Sequence, residues 1–238
     1  GSVTVADDGR GIPVGLHAEE GVPVVVLAFT RLHAGGKFDK REGNSAYAFS
    51  GGLHGVGVSV TNALSTRIEV EVRREGRIHR IDFSDGGETI SPVRVEGDCG
   101  RQTGTRVRVW PDGRYFDSPR VPMNELERLL RAKAVLLSGV AVRLDIEQAS
   151  GPALSKTWSY PEGLAGYLKE LAGDVEPVAP IFTADKYAGK DDPTFAPGEG
   201  AAWALAWFES AVPSESYVNL IPTVNGGTHE SGLRAGVF

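Results

Sequence analysis

The sequence predicts an α/β fold, a two-layer sandwich in which helices cover a β-sheet. Strand-like alternation and helix-like spacing of apolar residues take turns along the chain, which is typical of this class. A run with four glycines, SGGLHGVG at 50–57, leads directly into a helix-compatible segment. Such a run lets the backbone approach a ligand closely and presents free N–H groups at a helix start, an arrangement that binds phosphate.

Local patterns predict the individual elements. A short β-branched alternation predicts a strand at 3–6, and apolar segments of helical length predict helices at 22–31 and 56–64. Clean alternation on both sides of a Glu-Gly turn predicts a hairpin of strands 67–73 and 78–83. The further predictions are strands at 105–110, 141–146, 201–209 and 217–223, an amphipathic helix at 123–137 and a short helix at 163–171.

A change in composition divides the chain near residue 170. Residues 174–180 contain two prolines, and residues 185–200 are rich in Asp, Gly, Lys and Pro. The second stretch is interpreted as a loop rather than a boundary, because strand-like segments follow it in the same small unit. We therefore expect one domain at 1–170 and a second at 171–238.

Composition indicates a globular protein of the reducing cytoplasm. Hydrophobic residues make up 41% and charged residues 24% of the 238 positions. The longest apolar runs are far shorter than the roughly 20 residues of a membrane span, and the start of the chain lacks a secretory signal. A single cysteine, Cys99, excludes an internal disulfide. These features predict a cytoplasmic location and no membrane partner.

The net charge of −6 argues against DNA binding by this part of a protein, since DNA affinity depends on neutralising phosphates. Arginine and lysine are dense around residues 37–41, 73–80 and 128–133. Each group is interpreted as a solvated strand or helix face rather than a DNA groove.

Three motifs in order carry a family resemblance. The first is ADDGRGIP at 6–13, which alone would indicate only a strand leading into an Asp-Gly turn. LHAGGKF at 32–38 and the glycine-rich run at 50–57 follow, and neither GxxxxGK[ST] nor GxGxxG fits that run. Together they resemble the ATP-binding domain of the GHKL family, which includes gyrase, a class of heat-shock chaperones, histidine kinases and MutL repair proteins.

Two further motifs narrow the resemblance. GTRVRVWP at 104–111 and NGGTHESG at 225–232, with the earlier motifs, are similar to the B subunits of bacterial type IIA DNA topoisomerases over almost the whole chain. AYAFSGG at 46–52 and the C-terminal ESGLRAGVF favour topoisomerase IV, with gyrase as the alternative. The resemblance implies a GHKL (Bergerat) sandwich at 1–170 lacking an N-terminal helix, followed by the start of an α+β transducer domain.

The resemblance also implies an activity and its partners. The intact protein is expected to use ATP and Mg²⁺, to dimerise on binding ATP, and to act on DNA with the A subunit of topoisomerase IV or of gyrase. Aminocoumarin inhibitors are expected ligands. A hypothesis of another class is a non-hydrolysing nucleotide- or inhibitor-binding module, and a MutL-type repair ATPase is disfavoured by the motifs at 32–38 and 50–57.

Asp7 is the first predicted nucleotide-binding residue. A carboxylate accepts a strong charge-assisted hydrogen bond from an amine, and the family aspartate at this position binds the adenine amine beside a water. Thr105 resembles the threonine that bonds this water, although a threonine on a strand is otherwise simply a good strand former. Neighbouring strand residues face opposite ways, so Asp8 is assigned to capping the following turn.

The turn after Asp7 is expected to pass beneath the adenine. Gly11 is assigned to the nucleotide site for its conformation, and Ile12 and Pro13 to the apolar floor. The resemblance places Arg10 in a salt bridge beneath this pocket. Arg10 and Arg74 are assigned to the rim where inhibitors lie, and the alternative for Arg74 is an ordinary hairpin charge.

The phosphates are expected to bind the glycine-rich run. Lys37 follows two glycines and is predicted to reach the β- or γ-phosphate, with a solvated lysine as the alternative. His54 is expected to serve as a loop residue rather than an acid–base catalyst. The predicted phosphate-binding residues of the run are Gly52, Leu53, His54, Gly55, Val56, Gly57 and Val58.

We predict no catalytic residue and no metal ligand in this chain. The resemblance places the base glutamate and the Mg²⁺-binding asparagine on a helix before the ADDGRG motif, and the lysine that senses the γ-phosphate after residue 238. The histidines show no metal-ligand spacing. The chain by itself is therefore expected to hydrolyse little or no ATP and to be monomeric.

Overall fold

The computed structural model of the chain describes residues 1–33, 55–118, 120–148 and 150–237. Among these residues, contacts define two compact units, one ending at Arg120 and one beginning at Val121. The predicted boundary near residue 170 concerns the start of the second family domain and stays a prediction. Each unit is described by itself.

An antiparallel sheet forms the body of the first unit. Its strands run in the order β1-β6-β2-β3-β4, and β5 pairs with β3. The strands are β1 (Val3–Ala6), β2 (Ser65–Arg74), β3 (Arg77–Ser84), β4 (Thr89–Ile90), β5 (Arg94–Asp98) and β6 (Gly104–Pro111). β6 lies between β1 and β2, so it joins the first strand of the chain to the predicted hairpin.

Helix α1 (Val24–Thr30) packs its apolar side on this sheet, and α2 (Gly57–Ala63) packs on α1. Val25 and Phe29 are four residues apart, so they lie on one face of α1 and are both buried. The Phe29 ring stacks on Phe83 of β3 at a centroid distance of 5.2 Å. The other buried members of this core are Ile68, Val70, Val72 and Ile81.

The opposite side of β2 is charged. Glu69 and Glu71 alternate with buried valine and isoleucine, and in the sheet they lie opposite Arg108 and Arg106 of β6. Arg80 of β3 approaches Glu71 at 3.4 Å. The sheet is therefore covered by apolar side chains on one face and by ion pairs on the other.

The arginines around the β2–β3 hairpin have carboxylate partners. Arg73 lies 3.0 Å from Glu71, and Arg77 lies 2.8 Å from Asp98. Paired charges on strands agree with the interpretation of this group as a solvated strand face.

The second unit contains three helices and three two-stranded sheets within its described residues. Tyr160 and Tyr167 meet edge to face at 5.3 Å in its core, beside Ala134 and Val135. Its elements are α3 (Met123–Leu136), β7 (Val142–Ile146), β8 (Leu154–Trp158), α4 (Gly163–Ala172), β9 (Phe182–Tyr187), β10 (Gly200–Leu205), β11 (Tyr217–Val218), β12 (Ile221–Pro222) and α5 (Thr228–Val237).

The elements differ from the sequence prediction in three respects. The predicted strand at 217–223 is a tight hairpin, because Asn219 and Leu220 adopt φ of 47° and 71° and reverse the chain. The predicted loop at 185–200 begins inside β9, which pairs with β10. β4, β5, β8 and β9 were not predicted, since their short segments carry little apolar alternation.

None of the helices in the described ranges is long and apolar enough to cross a membrane.

We expect Phe29→Ala to lower the free energy of unfolding by about 3–5 kcal/mol, because it removes a buried ring and leaves a cavity. The matched control is Phe116→Ala, which removes a ring from a residue that is 45% exposed, with an expected change under about 1 kcal/mol. Urea unfolding followed by fluorescence measures both. Equal losses would contradict the assignment of this core.

Candidate functional site

Asp7 lies where β1 ends and its turn begins. Its backbone N–H donates to the Thr105 carbonyl oxygen at 2.9 Å, and its Oδ1 accepts the Gly9 N–H at 2.8 Å. Asp7 is exposed, and its side chain makes no other hydrogen bond among the described residues. The carboxylate is thus oriented through Oδ1, while Oδ2 is available to a ligand.

This geometry corrects the prediction for Asp8. The capping role in the turn belongs to Asp7, because the hydrogen bond to Gly9 N comes from the Asp7 carboxylate. The sequence places two adjacent carboxylates before this turn, and the structure assigns the hydrogen bond to the first of them.

Thr105 ties the turn to the sheet. Its side chain is buried, and its Oγ1 accepts the Ile12 N–H at 3.3 Å. A hydroxyl both accepts and donates, so its hydrogen remains for a further acceptor. Thr105 therefore does more than favour a strand, since it contacts both ends of the turn that begins at Asp7.

Two glycines permit the close packing of this turn. Gly11 has φ of 72°, and a Cβ at this position would lie 2.7 Å from the Arg73 carbonyl oxygen. Gly104 has φ of 144°, and a Cβ there would lie 2.0 Å from the carbonyl oxygen of Asp7. Gly11 thus packs on the end of β2, and Gly104 lets β6 approach Asp7.

Arg74 caps the same turn from the hairpin. Its Nη1 donates to the carbonyl oxygens of Gly11 at 2.9 Å and Arg10 at 3.3 Å, and its Nε pairs with Glu75 at 3.1 Å. Arg74 is therefore a structural part of the turn rather than an ordinary hairpin charge. Arg10 is exposed and also has an interaction partner in the structure.

Ile12 is half-buried and packs on the core that contains Phe29. Pro13 is exposed. Ile12 therefore connects the turn to the apolar core, and the place of Pro13 in a pocket floor stays a prediction.

The predicted phosphate-binding residues are described only in part. Gly55 has φ of 63°, and α2 begins at Gly57 after Val56. Val58 is 49% exposed in the first turn of this helix. Lys37, Gly52, Leu53 and His54 lie outside the described residues.

The sequence analysis placed Asn62 inside the predicted helix at 56–64 but gave it no role. The Asn62 side chain is 2% exposed, and its Nδ2 donates to the Phe29 carbonyl oxygen at 3.0 Å. The available signal was an amide side chain within this short helix.

In the described residues, no group of three or more His, Cys, Asp or Glu side chains could hold a metal ion.

Solved structures share this fold. The 43K ATPase domain of Thermus thermophilus gyrase B, solved with an aminocoumarin, matches 99% of this chain and 56% of its own length, with a TM-score of 0.75 and 32% identity. The ATP-binding domain of Francisella tularensis topoisomerase IV, solved with a small-molecule inhibitor, covers 99% of this chain and 58% of its own length, with a TM-score of 0.66 and 34% identity.

Relatives found by sequence comparison belong to the same two kinds of topoisomerase subunit. The B subunit of DNA topoisomerase 4 from Escherichia coli is 46% identical over a 240-residue alignment that covers 100% of this chain. The chain is a relative of the bacterial topoisomerase IV and gyrase B subunits. It spans 36% of the length of the Escherichia coli protein, and a family model described as DNA gyrase B matches residues 163–238. The predicted GHKL sandwich is confirmed by the match to these ATPase-domain structures.

We expect Gly104→Ala to lower the free energy of unfolding by about 1–3 kcal/mol, because the new Cβ would overlap the Asp7 carbonyl at a φ that L-residues rarely adopt. Gly113→Ala is the matched control, since a Cβ there meets no atom within 4 Å. Urea unfolding of both variants gives the comparison. A Gly104→Ala midpoint equal to that of Gly113→Ala would refute the close approach of β6 to Asp7.

Proposed function

We propose that this chain is the ATP-binding region of a topoisomerase IV B subunit, and that the intact protein uses ATP to drive decatenation and relaxation of DNA. The carrying observation is the Asp7–Thr105 arrangement, in which the turn carries an oriented carboxylate and is bonded by a buried hydroxyl of β6. Similarity over the whole chain to the B subunit of topoisomerase IV supports the same proposal.

In this proposal, Asp7 recognises adenine. Its Oδ1 already accepts the Gly9 N–H, which fixes the carboxylate plane, and Oδ2 accepts the exocyclic amine of the base. Thr105 holds a water between its hydroxyl and the base while its oxygen keeps Ile12 in place. Gly11 lets the turn lie close to the sheet beneath the base, and Ile12 and Pro13 line the floor.

The phosphates bind the glycine-rich run in this proposal. Oriented backbone N–H groups from Gly52 to Val58 neutralise their charge, and Lys37 adds a point charge. The described residue Gly55 has the positive φ that such a run requires. Mg²⁺ binding and the base for hydrolysis are assigned to residues outside this chain.

The intact protein is proposed to work in the cytoplasm with the topoisomerase IV A subunit on DNA, and to dimerise on binding ATP. Aminocoumarin-type inhibitors are proposed to contact the rim at Arg10 and Arg74. The structural relative from Thermus thermophilus, solved with an aminocoumarin, supports this. The gyrase B family match at 163–238 keeps gyrase as the second candidate.

The test uses three forms of the full-length protein, which are wild type, Asp7→Asn and Asp8→Asn. Asp7→Asn is expected to weaken binding of a non-hydrolysable ATP analogue by about tenfold to hundredfold, because a charge-assisted bond worth roughly 1.5–3 kcal/mol is lost. Asp8→Asn is the matched control, since the Asp8 side chain makes no hydrogen bond among the described residues. Isothermal calorimetry measures the affinities.

The same proteins, assembled with the topoisomerase IV A subunit, are then assayed on linked DNA circles. We expect ATP-dependent decatenation by wild type and Asp8→Asn, and much less by Asp7→Asn. ATP-dependent supercoiling instead would favour gyrase. Equal affinities of the two variants would refute the role of Asp7, and an assembled wild-type enzyme without either reaction would refute the topoisomerase proposal.

A further inference from the structure

We propose that Asn62 is a positioning residue that sets where the start of α2 lies relative to the turn at residues 7–12, called here the adenine-binding turn. This inference rests on the proposed function, because it concerns the phosphate-binding run that continues into α2. Asn62 is not proposed to touch the nucleotide. Its side chain bonds the backbone of α1 and so fixes the position of α2.

The Asn62 amide bonds a carbonyl oxygen that has no partner within its own helix. The last carbonyl oxygens of a helix have no partner within the helix, and one that is buried without a partner is costly. Phe29 is in the last turn of α1, and its side chain is 1% exposed. The Asn62 Nδ2 donates to the Phe29 carbonyl oxygen at 3.0 Å, so this amide supplies the missing partner.

The same amide is enclosed on its other side. Gly87 adopts φ of 90°, and a Cβ there would lie 2.4 Å from Asn62 Nδ2. Gly86 packs on the backbone of Ala63, where a Cβ would meet the carbonyl oxygen at 3.1 Å. No larger residue fits at 87 without moving the amide. The position of Asn62 is therefore fixed from two directions.

Asn62 is also the side chain that links α2 to α1 by a hydrogen bond. Among the described residues, Ser59 and Thr61 bond only to carbonyl oxygens at the start of α2 itself, those of Val56 and Gly57. Since α2 has only seven residues, this link lies within two turns of the first residue of the helix, Gly57.

The adenine-binding turn is held by contacts that do not include Asn62. Phe29 stacks on Phe83, and Ile12 packs against the cluster to which both rings belong. Ile12 is held by Thr105. Loss of the Asn62 bond would therefore leave the adenine-binding turn in place and release α2 from its fixed position.

The test compares two ligands on the full-length protein. Adenosine needs only the adenine-binding turn, whereas a non-hydrolysable ATP analogue also needs the phosphate-binding run. For Asn62→Ala we expect about a five- to tenfold weakening of the ATP analogue and less than about a twofold change for adenosine. Gly87→Ala displaces the amide without altering it, and the same selective loss is expected.

Ile81→Val is the control, because it removes a buried methylene from β3 and leaves the Asn62 contact intact. We expect it to keep the wild-type ratio of the two dissociation constants. Equal weakening of both ligands by Asn62→Ala and Gly87→Ala, or no change in the ratio, would overturn the positioning role while wild-type binding stands. Wild type that binds adenosine and the analogue equally weakly, with no contribution from phosphate, would overturn the proposed function and this inference with it.

Discussion

The pairing of β1 with β6 is the constraint on which the candidate site depends. It places the Asp7 N–H on the Thr105 carbonyl and brings the Thr105 hydroxyl to the Ile12 N–H. Gly104 makes this approach possible, since any side chain would overlap the Asp7 carbonyl. The carbonyl oxygen and the hydroxyl of Thr105 thus hold the two ends of one turn. The Asp7 carboxylate is oriented by the Gly9 N–H without a ligand. Preorganisation of this kind lowers the ordering cost of binding.

One apolar core supports both halves of the proposed nucleotide site. Ile12 packs on it from the turn, and Phe29 belongs to it from α1. The hydrogen bond from Asn62 to the Phe29 carbonyl oxygen connects α2 to the same core. The opposite face of the sheet carries ion pairs, of which Arg67 with Glu69 at 2.6 Å is one. The division of the sheet into an apolar and a charged face follows from the strict alternation along β2.

Much of the fold could be predicted from the sequence because its signals are local. β1, α1, α2 and the β2–β3 hairpin each follow from the spacing of neighbouring residues, and the structure has all of them. The family motifs predicted Asp7 and Thr105 as site residues, and in the structure their backbones are joined by a hydrogen bond.

The rest depended on contacts between distant residues. The contact of the Asp7 N–H with the Thr105 carbonyl joins residues 98 positions apart in the chain. The role of Arg74 needs a partner 63 residues earlier in the chain, the carbonyl of Gly11. The hairpin at 217–222 depends on two non-glycine residues with positive φ, for which Asn219 gives a weak signal and Leu220 gives none.

Hydrogen–deuterium exchange of the full-length protein, with and without a non-hydrolysable ATP analogue, tests the central claim most directly. If the turn held by Thr105 binds adenine, backbone amides in residues 7–12 and 104–107 exchange more slowly when the analogue is bound. The ion-paired face around Glu69 and Glu71 should not change. Protection that spares residues 7–12 while the analogue is bound would contradict the account.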